Sequence, residues 1–215
     1  MIKNIHTPSK RWSLLWTGLI GLAILAAHLE PVSSVVVKKD ATQVSSPEAQ
    51  IEQKVHHIIS RDGKDIPASK RQQIARTILK VARQYQIDPL MILAIIKTES
   101  SFRTTVKSWA GAIGLMQIKP IVVKDVADEV PVSGRPAAEL LRDPHSNIQV
   151  GVHYLSNLMK RFGGTNWHHV LAAYNMGPTY VSKLVRRQQQ PSKKYYSKVM
   201  SNYQEYSDVQ IPETT

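Results

Sequence analysis

The chain has 215 residues, 42% of them hydrophobic, which suffices for one substantial domain with appendages and excludes two large ones. Its net charge of +12 implies an anionic partner, whether nucleic acid, a lipid headgroup layer or an acidic wall polymer. The absence of cysteine excludes disulfides, thiolate metal sites, a cysteine nucleophile and lipid attachment through an N-terminal cysteine.

Lys3, Lys10 and Arg11 precede an uncharged stretch over 12–29, which as a helix would be roughly 27 Å long, close to one bilayer hydrocarbon core. A core helix would carry a polar face and this one has almost none. Residues 1–31 are therefore expected to lie outside the fold as a signal peptide or a membrane anchor, with the basic side in the cytoplasm and the rest exported to the periplasm or cell envelope. Neither Leu25-Ala26-Ala27 nor Val32-Ser33-Ser34 is a strong cleavage site, so both outcomes stay open. Residues 32–68 read as a tether followed by a short helical region. That helix is expected over 51–60, ended by His56-His57 and the polar run Arg61-Asp62-Gly63.

The folded domain is expected over 69–206, with a flexible tail at 207–215. Ile74, Ile78, Val81, Ala82 and Tyr85 recur at helical spacing beneath a basic surface of Lys70, Arg71, Arg76, Lys80 and Arg83. Asp88-Pro89 then offers a capping carboxylate and a proline at the first helical position, and residues 90–96 are apolar on every side, as a central core helix would be. Ile148, Val152, Leu155, Met159 and Phe162 form a further stripe stopped by Gly163-Gly164, followed by Trp167, Val170, Leu171 and Tyr174. No long stretch alternates as a strand does. The periodicity predicts an all-α domain with loops around Gly111, 131–136 and Gly177-Pro178. Lys183, Arg186, Arg187, Lys193 and Lys194, interleaved with Tyr195, Tyr196 and Tyr203, read as a solvated helical face over a tyrosine-containing core. Stacking on nucleic acid is the alternative, but an exported domain is not expected to meet it.

One acid stands out. Glu99 lies three, four and seven residues after Ile96, Ile95 and Ile92 and so continues the face they line. Desolvation there, and the negative end of the helix, both raise a carboxyl pKa and favour a proton donor. On position alone a fraying surface glutamate, or one paired with a nearby lysine, is the commoner arrangement.

Three segments alter that balance: Thr98-Glu99-Ser100-Ser101-Phe102; Ser108 with Gly111-Ala112-Ile113-Gly114-Leu115-Met116-Gln117-Ile118 and Pro120; and Ala172-Ala173-Tyr174-Asn175-Met176-Gly177-Pro178. In order and spacing they resemble the soluble-lytic-transglycosylase family of peptidoglycan-cleaving enzymes, as do Asn147-Ile148, Gly151 and Tyr154-Leu155. The resemblance implies a lysozyme-like helical domain with a groove for peptidoglycan glycan strands. It also implies that Glu99 is the single catalytic acid, forming a 1,6-anhydro ring on N-acetylmuramic acid as the bond to N-acetylglucosamine breaks. Ser108, Gln117, Tyr174 and Asn175 match substrate-binding positions, while Gly111, Gly114 and Met116 match positions that shape the groove. Gln117 could instead stabilise the turn, Tyr174 could fill core, and Asn175 could cap or orient its segment. Two departures are Lys119, where the family often has methionine, and Met176, where it often has a small residue. A charge at Lys119 facing the groove would depress the carboxyl pKa.

No cofactor is expected. No metal is expected either, because His56-His57 and His168-His169 are adjacent pairs whose side chains diverge by about 100° on a helix, unlike the i, i+4 zinc motif. Two other classes stay in play: a lysozyme-type hydrolase with a positioned water, and a non-catalytic wall-binding or assembly protein.

Overall fold

The computed structural model describes residues 46–126, 130 and 134–211. The apolar stretch over 12–29 and most of the expected tether lie outside these residues. Among the described residues no helix is long and apolar enough to cross a membrane.

The fold is all-α. Its helices are α1 Pro47–Asp62, α2 Ala68–Tyr85, α3 Pro89–Ser100, α4 Pro120–Val126, α5 Ala137–Leu140, α6 Pro144–Phe162, α7 Trp167–Met176, α8 Pro178–Arg186 and α9 Lys194–Ser207. Caps set many of the boundaries. Asp88 accepts from the Leu90 amide ahead of α3 and Asp143 from the Ser146 amide ahead of α6, each followed by proline at the first helical position. Gly163 closes α6 in the left-handed conformation, and Gly177 ends α7 and leads directly into Pro178 of α8.

The core is built on α3. Every residue from Leu90 to Ile96 is buried, so this helix has neighbours all round. It packs against α9, α2 and α1; α2 also lies on α6, and α6 on α7, which in turn meets α8 and α9.

Among the described residues, helix α1, ahead of residue 69, packs into the same core as the helices after it. Val55, Ile58 and Ile59 of α1 are fully buried, and Ile51 packs against them. His57 and Ser60 sit on the exposed side of the helix, where they interrupt nothing. At the other end Val209 still packs against the core, so the ordered chain runs past residue 206.

Helix α1 is also fastened by charge. The Asp62 carboxylate, 7% exposed, takes Arg61 Nε at 2.7 Å, Lys97 Nζ of α3 at 3.1 Å and the buried Tyr206 hydroxyl of α9 at 2.6 Å. These donors hold Asp62 down at about pKa 2 in spite of its burial, and the buried Tyr206 phenol, bonded to that charge, is raised in turn.

Candidate active site

Helix α3 delivers Glu99 in its last turn. The helix stops immediately afterwards because Ser101 and Phe102 turn left-handed, at φ 50° and 63°. Neither is glycine, so the surroundings impose these angles, as the burial of Phe102 at 2% exposure explains.

The half-buried Glu99 meets α9. Tyr195 donates its hydroxyl to Glu99 Oε1 at 2.5 Å. Lys198, one turn on, reaches the Thr98 carbonyl at 3.4 Å and supplies the nearby positive charge, while Asn202 donates to Thr98 Oγ1 at 2.8 Å. Residues 195, 198, 202 and 206 thus form a polar stripe down α9 facing α3 and its neighbours. Burial is the largest influence on Glu99 and raises its pKa; the Tyr195 hydrogen bond and the Lys198 charge act the other way without cancelling it. Burial, with the Glu99 charge behind it, pushes the Tyr195 phenol well above its ordinary range, so Tyr195 stays neutral and acts as a donor. No second carboxylate among the described residues acts on Glu99 in this balance.

A bridged turn forms the neighbouring wall. Residues 106–118 contain no strand, only the isolated antiparallel bridges Lys107 to Ile113 and Ile113 to Ile118. Asn147 of α6, completely buried, ties it down: Oδ1 accepts from the Met116 amide at 2.8 Å, and Nδ2 donates to the carbonyls of Ile113 at 2.8 Å and Leu141 at 2.9 Å. Gly114 is required here twice over, by its φ of 78° and because a Cβ would lie 2.7 Å from the Leu141 carbonyl and closer still to the Asn147 amide. Met116 fills the space left by Gly151.

Most of the sequence-predicted site residues fall on this turn and on α7. Tyr174 lies beside Glu99, whose charge adds to burial in pushing its phenol well up, and its hydroxyl donates to the Met116 carbonyl at 2.8 Å. It braces the turn. Gln117, left-handed at φ 49°, donates its amide to Val106 and Gly114 carbonyls at 3.2 and 2.9 Å, the turn-stabilising arrangement, and its Oε1 makes no bond among the described residues. Ser108 Oγ accepts from the Ala112 amide at 3.1 Å across the corner that Gly111 turns at φ 82°. Asn175 is exposed, and the cap of α7 is Gly177 instead. With Ala172, Met176, Ser192, Tyr195 and Lys198 it lines a cavity of about 300 Å³ that includes the two residues of α9 acting on Glu99. Lys119 is exposed and does not figure among the charges on Glu99; Lys198 takes the part considered for it.

Tyr195, Lys198 and Asn147 are the residues that the sequence reading did not assign to the site. Only the helical spacing of 195, 198, 202 and 206 hinted at the first two, and nothing in it named α3 as their partner.

The sequence profile described as the Transglycosylase SLT domain matches residues 76–197, more than half of the chain. Membrane-bound lytic murein transglycosylase C of Haemophilus influenzae (strain PittEE) is 41% identical over 107 residues, covering 46% of this chain and 30% of that protein. The protein of the same name from Histophilus somni (strain 2336) is 38% identical over 117 residues, 51% of this chain and 32% of that one. The matches thus span about a third of the length of these curated relatives. Among solved structures, an inactive variant of lytic transglycosylase Slt from Pseudomonas aeruginosa aligns with a TM-score of 0.49 at 22% identity, over 74% of this chain and 28% of that one. The 70 kDa soluble lytic transglycosylase of Escherichia coli aligns at 0.47 and 24%, with the same coverage.

Proposed function

The chain belongs to the Transglycosylase SLT domain family, and from that premise we propose that it is a peptidoglycan lytic transglycosylase. It cleaves the bond between N-acetylmuramic acid and N-acetylglucosamine and closes a 1,6-anhydro ring on the muramic sugar. The observation that carries this reading is the pairing of a desolvated Glu99 with a neutral phenol donor on one of its two oxygens.

The pairing decides where the proton sits. Tyr195 occupies Oε1 as a donor, so the carboxyl proton of the acid form resides on Oε2, free to pass to the bridging oxygen. As the bond from C1 to that oxygen breaks, the proton moves onto the leaving sugar and Glu99 becomes a carboxylate, which Tyr195 and Lys198 stabilise. The C6 hydroxyl oxygen of the muramic sugar then bonds to C1, and its proton returns to Glu99. Water is not consumed. An attacking hydroxyl already attached to the substrate has a proximity advantage over a free water, and the neighbouring acetamido group can take the place of a second carboxylate. In this reading Ser108, Gln117, Tyr174 and Asn175 serve the glycan: Gln117 offers Oε1 and Asn175 its exposed amide to the sugars, while Tyr174 holds the wall in place.

The relatives' description as membrane-bound supports placement in the cell envelope, with residues 1–31 as leader or anchor and peptidoglycan strands as the partner. The test is digestion of purified sacculi by the full-length chain, read by mass spectrometry. Muropeptides ending in 1,6-anhydromuramic acid are expected, and none with Glu99→Gln. Hydrated reducing ends would replace this reading with a hydrolase, and binding without any release would replace it with a wall-binding module.

A further inference from the structure

The adjacent pair His168-His169 occupies the first turn of α7. The two rings do not diverge as neighbours on a helix are expected to. Their centroids lie 5.6 Å apart with the planes 23° from parallel, and both Nε2 atoms meet residues 187–193, which join α8 to α9. His168 Nε2 meets the Pro191 carbonyl at 3.0 Å, and because a carbonyl oxygen only accepts, that nitrogen carries its hydrogen whether the ring is neutral or charged. This tie is therefore indifferent to pH. His169 Nε2 meets Gln190 Oε1 at 3.2 Å, with Asn166 Nδ2 on its other ring nitrogen at 2.8 Å. Pro191 is buried, and the rings of His168 and Tyr196 meet in a T, 5.5 Å between centroids and 64° between planes. The connecting segment is thus fastened to α7 at two successive residues.

What this segment leads into makes the fastening matter. It runs directly into α9, whose second residue is Tyr195, the phenol donor to Glu99. The start of α9 has no side-chain cap at its own cap position, Lys193; Ser192 Oγ takes the Lys194 amide instead, at 3.3 Å. The direction in which the first turn projects Tyr195 is therefore set by where residues 190–192 are held. Helix α7 serves both sides of the arrangement: its first turn holds the segment, and Asn175 and Met176 of its last turn line the cavity that Tyr195 shares.

We infer that His168 is a positioning residue for the reaction: through the Pro191 carbonyl and the Tyr196 ring it holds the start of α9 where Tyr195 meets one oxygen of Glu99. The inference rests on the proposed function and gives a histidine that does not line the cavity a share in setting the acid's protonation. Among the described residues Tyr174 of α7 and Tyr195 and Lys198 of α9 are the titratable groups that face Glu99. His168 is not one of them, and it acts through Tyr195.

The experiment compares His168→Ala, His168→Gln, Tyr195→Phe and the double variant His168→Ala with Tyr195→Phe, each in the full-length chain, on purified sacculi. His168→Ala is expected to lower kcat about fivefold, as fits the loss of one neutral hydrogen bond, with KM within about twofold. It should also move the high-pH fall of kcat/KM upward, in the same direction as Tyr195→Phe. His168→Gln, whose amide still donates to the Pro191 carbonyl, should recover most of the loss. The double variant should lie within about twofold of Tyr195→Phe alone, because both changes act on one contact. Should circular dichroism show His168→Ala unfolded, His168→Phe takes its place, keeping a ring against Tyr196 and removing the donor. Losses that add in full, a loss that leaves the pH profile unmoved, or unchanged activity each overturn the inference. A second arm needs no catalysis: NMR titration of the Glu99 carboxyl carbon in wild type, His168→Ala and Tyr195→Phe. A midpoint raised in both variants supports the positioning role even if no anhydro product is ever released, in which case the proposed activity fails alone. An unmoved midpoint in His168→Ala, with cleavage by wild type intact, sinks the positioning role alone.

Discussion

Two carboxylates in this molecule each accept a hydroxyl from a tyrosine of α9, yet the fold treats them in opposite ways. Glu99 meets Tyr195 at 2.5 Å and Asp62 meets Tyr206 at 2.6 Å, and burial opposes the charge on both. Asp62 also receives a guanidinium and an ammonium in direct contact, and it stays ionised down to about pH 2. Glu99 has Lys198 near but in no salt bridge among the described residues, and its pKa is raised. Tyrosine contact is common to the two, so it does not decide the outcome. The number of cations in contact does: with two the carboxylate becomes a fixture, and with none it keeps a proton to give.

The comparison can be broken most forcefully at Glu99. Glu99→Gln should reduce the release of anhydro products by about a thousandfold or more, within the range for loss of a general acid, while a thermal melt followed by circular dichroism stays unchanged. Asp62→Ala should do the reverse, costing about 2 kcal/mol in denaturant unfolding because Arg61 and Lys97 lose their partner but are each about a third exposed and regain water. A large loss of activity in Asp62→Ala with unchanged stability would show that the two sites are not separable. Tyr195→Phe sharpens the contrast: its hydrogen bond favours the Glu99 carboxylate, so removal should raise the acid's pKa further and slow turnover about tenfold. In a pH profile of kcat/KM the activity should fall as pH rises through the Glu99 pKa, and in Tyr195→Phe that fall should come at higher pH. Stability carries the opposite sign at Asp62. Its contribution is complete above the ordinary value of about 4 and is lost as pH falls toward about 2, which acid denaturation of wild type against Asp62→Asn will read. The smallest effect belongs to Lys119→Ala, expected to leave kcat/KM within about twofold because that side chain is exposed and away from the acid's electrostatics.

Much of the scaffold was legible. Asp88-Pro89 and the unbroken apolar run announced α3, and the glycines at 163 and 177 announced two helix ends, because capping and periodicity are local signals. Helix α1 is less legible: its buried stripe is short, and the polar residues that read as its end either face solvent, as His57 does, or form ties to other helices, as Asp62 does. The short helices α4 and α5, Pro120–Val126 and Ala137–Leu140, went unpredicted because so few residues show no period. Glu99 was found from its register with three isoleucines. From sequence Tyr195 reads only as part of a tyrosine-containing core beneath a basic face, because its bond to Glu99 joins positions 96 residues apart. Gln117 admits two roles from sequence, and in the structure its amide is committed to the turn.

The wall built by residues 106–118 has almost no regular structure, yet Asn147 binds it from inside the core. Its dynamics should follow the core and not its irregular shape. The Met116 amide, buried against Asn147 Oδ1, should exchange with deuterium only when α6 itself separates from the turn, on the timescale of global opening, whereas the Ala110 amide in the exposed corner should exchange early. A wall that is already rigid before a ligand arrives spends little binding energy on ordering itself.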